Sequence, residues 1–478
     1  MFEHTYARLG EDFAADARPT PVAAPRLLAW NDALAASLAL PETWRDAAAQ
    51  LFSGNAWPEG ARPVALAYAG HQFGHFVPRL GDGRAIALGE WLAPDGRRVD
   101  IQLKGAGPTA FSRRGDGRAA IGPVLREFLL SEAMHALGIP TTRSLAAVAT
   151  GEAVVRDEIL PGAVLTRVAA SHVRVGTFQY FAARGEDANV RRLADHVIAR
   201  HYPGVQGAPD RYLALLDAVS QAQAALVAAW MHAGFIHGVM NTDNVAISGE
   251  TLDYGPCAFL DEYHPAKVFS SIDRHGRYAY GNQPPIAQWN LARLAECLLP
   301  LFQRQGEQGV ADARAVVEGF AGHYRSAWLD GLRRKLGLAT AHDDDEALGR
   351  EFLAALEAVA ADYTLSFRAL AEALDGEPAG LPRTPAMDAW RARWQARLAG
   401  EGRGVDEVRA GLRAANPALI PRNHLVEAAL AAAAAGDLQP FEAMLAAVRR
   451  PFDHGPAQQA FMAPPEAGQR VTQTFCGT

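Results

Sequence analysis

Cysteine is scarce: Cys257, Cys297 and Cys476 are the only three in a chain of 478 residues. Three thiols cannot build a disulfide framework or, unaided, a four-ligand zinc site, and a reducing cytoplasm is the expected compartment. Uninterrupted apolar runs are missing too. The nearest, YLALLDAVSQAQAALVAAWM (212–231), is broken by Asp217, Ser220, Gln221 and Gln223, so it reads as a buried helix and no membrane partner is expected. The opening MFEHTYARLGEDF has no basic stretch followed by an apolar one, which argues against a secretory signal. A basic excess is also absent, since 46 Lys and Arg against 53 Asp and Glu give a net charge of −7. That excludes a whole-chain field for nucleic acid and leaves room only for a local basic pocket.

What remains is globular, with 49% hydrophobic and 21% charged residues and a length that favours two or three packed lobes. Residues 1–60, with Pro19, Pro21 and Pro25 marking an extended lead-in, read as an N-terminal extension packing on the core. Residues 61–180 read as a first lobe whose pattern is strand-like from 61 to about 105. AIALGEWL (85–92), the turn PDGR and RVDIQLKG (98–105) make a hairpin; Gly122-Pro123 open a helix; further strands follow at 145–156 and 163–169. Residues 181–305 are mostly helical and carry the motif region, where NVAIS (244–248) and TLDYG (251–255) read as a short strand pair. Residues 306–478 form a helical extension with a Cys-containing tail. A β-rich lobe with one helix followed by a large helical lobe is an α+β, protein-kinase-like bilobed outline.

The chemistry concentrates in HGVMNTDN (237–244) and LDYG (252–255). Kinases place an Asn seven positions after the His of His-x-Asp, then an Asp-x-Gly that binds metal. His237, Asn244 and Asp253 keep that spacing, but Val239 stands where the catalytic Asp belongs. Asn244 and Asp253 offer the hard oxygens that Mg²⁺ or Mn²⁺ prefers, with phosphates completing the shell. Asp243 is the neighbouring carboxylate able to accept a proton.

Upstream, Lys104 at a strand end can neutralise phosphate. Glu127, in the first turn of the next helix, can orient it, whereas Glu132 lies about 140° around that helix. Two GDGR turns flank this strand: Gly81, Gly83 and Arg84 in the first, Asp116 and Gly117 in the second. Each is a good tight turn as well as a possible phosphate cradle. Arg167 and Arg174, seven residues apart, could converge on one anion or decorate a surface. His71 and His75 have no third ligand and suggest a hydrogen-bonding role.

The blocks GHQFGHFVPRLGDGRAIALGE, LKGAGPTAFSRRGDGRAAIGPVLREFLLSEAMHALGIPTTRSLA, LTRVAASHVRVGTF, HGVMNTDN and LDYGPCAFLDEYHP, with GRYAYGNQP, WNLARLAECLLPL and NPALIPRNHLVEAALAAA, resemble the selenoprotein O (YdiU) family over nearly the whole chain. The resemblance implies a former "pseudokinase" that binds ATP in a flipped orientation and transfers AMP to protein hydroxyls. It assigns the two glycine loops and Lys104 to the nucleotide, Glu127 to Lys104, Arg167 and Arg174 to the phosphate chain, Asp243 to general base, and Asn244 with Asp253 to the metal.

The resemblance further implies a regulatory disulfide from Cys476 to the activation segment. Cys257 is the local candidate there, Ser270 or Ser271 an alternative occupant of that position, and an unpaired tail thiol the other outcome. Protein targets and ATP form the implied partner set. A γ-phosphate-transferring kinase and a non-catalytic nucleotide-binding scaffold are the competing readings.

Overall fold

The computed structural model describes residues 1–376 and 380–475. The first part of the chain builds one nine-stranded sheet of mixed strand lengths. Its central order runs Ala14–Asp16, Val64–Leu66, Ala85–Leu92, Arg98–Lys104, Ile159–Ala169, Arg143–Val155, Arg26–Trp30. Phe2–Glu3 adds on Ala85–Leu92 and Ala119–Ala120 on Ile159–Ala169. Every pairing in it is antiparallel. Residues 1–60, expected as an extension, thus contribute three strands to the sheet itself.

The strand Arg98–Lys104 shows how the sheet separates core from site. Side chains alternate between faces, so Ile101 and Leu103 fall together on one side, and Gln102 and Lys104 on the other. Ile101 and Leu103 are fully buried against Leu34, Trp44, Phe52 and Trp91, so the short N-terminal helices seal that face. The other face meets helix Ile121–Ala136 and, through it, the helical remainder of the chain. That helix begins earlier than its Gly-Pro pair suggests, because Pro123 is tolerated within a first turn where its missing N–H has no partner to lose. Glu127 therefore sits in the second turn, not the first.

Helix Arg211–Ala233 is capped by Asp210, whose carboxylate accepts from Leu213 N at 3.1 Å, and ends at Gly234 in a left-handed conformation (φ 71°). It is the one described helix long and apolar enough to cross a membrane, yet 56% of its apolar window is buried, against helices Gln283–Leu298 and Gly306–Lys335 among others. Just beyond it, Phe235–Ile236 pairs with Ala258–Phe259 and closes residues 237–257 into one loop.

Inside that loop the expected strand pair reduces to a single Val245–Thr251 bridge. Other segments take those backbone groups: Ile247 N donates to Val173 O, Val175 N to Val245 O, and Thr251 N to Pro140 O. Paired backbone is what burial demands, and the neighbouring segments supply it. The later helices, among them Gly306–Lys335, Asp345–Glu357, Pro385–Ala399 and Asn423–Ala434, pack on this frame through one continuous apolar core.

Candidate active site

Between the sheet and the loop lies a cavity of about 880 Å³, within the size range of small-molecule and cofactor sites. Eight Lys or Arg side chains line it against four carboxylates, so a chain of net charge −7 has a strongly cationic hollow. Lys104, at a sheet position opposite Ala85 and Leu165, donates from Nζ to Glu127 Oε2 at 2.6 Å and reaches Asp253 Oδ1 at 3.4 Å. Arg167 lies opposite Gln102 on the adjacent strand and grips the same two acids: Nε and Nη2 donate to Glu127, and Nη2 to Asp253 Oδ1 at 3.1 Å.

The result is a four-member cluster of two cations and two carboxylates, with Glu127 and Arg167 buried and Lys104 and Asp253 partly open to the cavity. Burial alone would raise both acids, but Arg167 and Lys104 hold Glu127 below the usual carboxylate range, and Lys104 and Arg167 hold Asp253 well below it. Asp253 keeps its second oxygen for the backbone N–H of Gly255 at 3.1 Å, the bond that turns the chain at Asp-Tyr-Gly.

Asp243 faces the same cavity from the loop. It is 7% exposed, and burial pushes its carboxyl up to about 6 against the pull of Arg174. Its Oδ2 accepts from Gln72 Nε2 at 3.3 Å, while Oδ1 has no donor among the described residues. Position 70 packs so closely that a Cβ there would stand 2.6 Å from Oδ1, so only glycine fits.

The hairpin Gly70–Gln72 and His75–Val77 is fastened to the loop by two further bonds. His71 N donates to Thr242 Oγ1 at 2.6 Å and Phe73 N to Asn241 Oδ1 at 3.0 Å. Arg174 heads helix Val175–Ala182, donates from Nη1 to the Asp243 carbonyl at 2.9 Å, and stacks over Tyr68 at 4.2 Å. Its remaining charge faces Asp82 at 3.6 Å.

Both glycine turns line the cavity. Gly81 is left-handed (φ 71°), and a Cβ on it would lie 2.2 Å from the Phe111 ring. Gly117 (φ 66°) is packed 2.1 Å from the Gly107 carbonyl on the same measure. Asp116 is spent on its own loop: it accepts from Arg118 N at 2.9 Å and pairs with Arg156 at 2.8 Å, which lowers its carboxyl.

Residues 1–449 match the family described as protein adenylyltransferase SelO. The chain belongs to the SelO family. Relatives named protein nucleotidyltransferase YdiU share 57% identity in Bradyrhizobium sp., covering 100% of this chain and 99% of the relative. One in Methylorubrum extorquens shares 57% and one in Agrobacterium fabrum 56%, each again over 100% of this chain and 99% of the relative. The SelO relationship makes the protein a nucleotidyltransferase, an enzyme that moves a nucleotidyl group from a nucleotide substrate.

Within this SelO frame, Gly81, Gly83, Arg84, Lys104, Asp116, Gly117, Arg167, Arg174, Asp243, Asn244 and Asp253 all line the one cavity, and Glu127 stands directly behind Lys104. Glu132 is turned away and bound to Arg143 at 2.7 Å. His237 is buried beside Trp230, its imidazole pushed down to about 4 by burial, so it is a neutral packing group. Val239 lends its carbonyl to Asn244 Nδ2 at 3.0 Å. His71 bonds Gln179 at 2.8 Å, and among the described residues no group of three or more His, Cys, Asp or Glu is placed to hold a metal.

Cys257 is fully buried, with its thiol pushed up to about 12, and Cys476 lies outside the described residues. Ser270 and Ser271 meet the tail at Thr474.

Residues the sequence reading passed over complete the wall. Asp82 accepts from Leu66 N at 3.2 Å and Gln102 Nε2 at 3.0 Å, tying the first glycine turn to the sheet. Its signal was its place inside the first Gly-Asp-Gly. Gln72, Tyr68 and Asn241 carried none, because each acts through a contact made far along the chain.

Proposed function

We propose that the protein transfers AMP from ATP to Ser, Thr or Tyr hydroxyls of other proteins, on a protein-kinase-like bilobed arrangement, with the α-phosphate turned toward Asp243. The observation that carries this reading is the position of Asp243. A carboxylate with a raised pKa and one unpartnered oxygen lines the same cavity as Lys104, Arg167 and Arg174, while the position kinases use for their base is Val239. A base that titrates nearer neutrality accepts a proton more effectively than an ordinary aspartate.

The residues divide the work. Arg167, Arg174 and Lys104 neutralise the triphosphate, and the charge that develops between the α-phosphate and departing pyrophosphate falls within their reach. Glu127 keeps Lys104 and Arg167 aimed by sharing them. The glycine turns let backbone approach the nucleotide, as Gly81 and Gly117 already approach their neighbours. Asp243 takes the acceptor hydroxyl proton as its oxygen bonds to the α-phosphorus.

A divalent cation, Mg²⁺ or Mn²⁺, suits the donor set. Asn244 has its Nδ2 committed to Val239 and its Oδ1 accepts no hydrogen bond among the described residues; with the Asp253 carboxylate it makes a hard-oxygen pair that needs phosphate and water to complete a shell. Bound there, the ion would screen the phosphates and polarise them for attack.

The test is incubation with Mg²⁺ and ATP labelled at the α- or the γ-phosphate. Label retained on protein only from the α position is expected. Label only from γ would make the enzyme a kinase, and label from neither would leave a nucleotide-binding scaffold.

A further inference from the structure

Next to the nucleotide cavity lies a second one of about 630 Å³, and Phe73 and Ile272 form part of both walls. Its outer side carries Arg274, His275 and Arg277, with His75 from the facing hairpin. One carboxylate, Asp273, is present, but it is buried and used up inside: its two oxygens accept from the backbone N–H groups of Arg277 at 2.9 Å and Tyr278 at 2.8 Å. Among the described residues neither Arg274 nor Arg277 has a carboxylate partner.

Arg277 is nevertheless held in place. Its guanidinium stacks over Trp289 at 4.7 Å and lies close over Gly74, where a Cβ would come within 3.7 Å of its Cζ. Its Nε is buried without a partner. A planar cation held between aromatic rings, bonded by the Tyr278 phenol but by no carboxylate among the described residues, can receive an oxyanion.

The connection to the chemistry is direct. The hairpin that places Gln72 on Asp243 also places Phe73 and His75 on this second wall. Asn241 Oδ1 accepts from both Phe73 N at 3.0 Å and the Tyr278 hydroxyl at 2.6 Å, binding catalytic loop, hairpin and second wall into one unit. Ile272 is 53% exposed at the junction, and Arg274 and His275 are exposed, so a polypeptide laid across the mouth of the first cavity can reach into the second.

We propose that this second cavity receives an acidic side chain of the protein acceptor, a few residues from the hydroxyl that is modified. The inference rests on the proposed transfer to protein hydroxyls and names the sequence context those acceptors share. Arg277 and Arg274 act on acceptor affinity and choice, and the nucleotide is held by other residues.

The experiment uses the full chain with Mg²⁺, α-labelled ATP and a positional library of synthetic peptides. Each peptide has one Ser, Thr or Tyr and carries Asp or Glu, Ala, or Lys at each flanking position. The wild-type enzyme is expected to label peptides with an acid at one or two flanking positions about tenfold faster than their alanine counterparts, a ratio set by one charge-assisted pair. Arg274→Ala with Arg277→Ala should bring that ratio to about one, and Arg274→Glu with Arg277→Glu should shift it toward Lys. Arg274→Ala alone, at an exposed position that leaves the packing around Trp289 untouched, should lower the ratio partway.

Peptides labelled without regard to flanking charge, or an acid preference unchanged in all three variants, would overturn the inference and leave the proposed transfer standing. Label on no peptide and no protein would overturn both.

Discussion

Around Asp345 and Glu401 the C-terminal helices close their buried acids on partners. Asp345, 1% exposed, pairs with Arg333 at 2.8 Å and Arg397 at 3.0 Å. Glu401 takes Arg403 at 2.6 Å, Arg397 at 3.0 Å, and the backbone N–H groups of Ala339 and Thr340. Around Asp253 and Arg174 the balance runs the other way: cations outnumber acids two to one, and several charged atoms lack partners. Buried ion pairs that complete one another hold structure together, whereas cations gathered in excess around an open cavity leave positive charge for a ligand of opposite sign to answer. The first arrangement belongs to a scaffold and the second to a site, and their responses to mutation should differ accordingly.

The largest effect is expected from Asp253→Ala, which removes the acid shared by Lys104 and Arg167. Transfer should fall by a factor of about a thousand, measured as α-label incorporation at saturating ATP, while the far-ultraviolet circular dichroism stays that of the parent. Arg174→Ala comes next. Losing a cation that bonds the Asp243 carbonyl should slow turnover by about a hundredfold, with a smaller change in nucleotide affinity, read by single-turnover kinetics against titration of bound ATP.

Glu401→Gln should do the reverse, sparing turnover per folded molecule and lowering stability. Burial opposes ionisation there, but the Thr340 and Ala339 N–H groups, the Thr340 hydroxyl and Arg403 hold the carboxyl down to about 2. A carboxyl depressed on folding stabilises the protein above its unfolded pKa, near 4.5, and loses that contribution as pH falls toward 2. The variant should therefore cost about 2–3 kcal/mol in urea unfolding at pH 7, with the difference shrinking below pH 4.5.

A separate effect, on the pH dependence of stability alone, concerns Lys335, buried over Phe367 at 4.1 Å and pushed down to about 7 by desolvation. The unfolded chain binds its proton more tightly, so stability should rise from pH 7 toward 10.5, and Lys335→Met should flatten that rise.

Much of the site was legible because local patterns carried it. Lys104 follows from a period-two strand, and its pairing with Glu127 from the helix that comes next. Asn244 and Asp253 follow from spacing within one loop. The cluster as a whole was not legible: Arg167 gripping both Glu127 and Asp253 depends on strand Ile159–Ala169 lying beside Arg98–Lys104, a register that no local pattern announces.

The strand pair read at 244–255 failed for a related reason, since Val173 and Pro140 compete successfully for its backbone. Residues 1–60 looked peripheral because their strands are only two to five residues long, and the sheet they join is assembled from distant segments. The reach of Gln72 to Asp243 spans 171 positions, and a sequence read locally has no means of pairing them.

The proposed transfer requires this cavity to present the α-phosphate, and not the γ-phosphate, to Asp243. A crystal structure of the full chain with Mg²⁺ and a non-hydrolysable ATP analogue tests it most directly. The α-phosphorus should be the phosphorus nearest the Asp243 carboxylate, with Arg167 and Arg174 on the phosphate chain. A γ-phosphorus nearest Asp243, with the α-phosphate remote from it, would contradict the account.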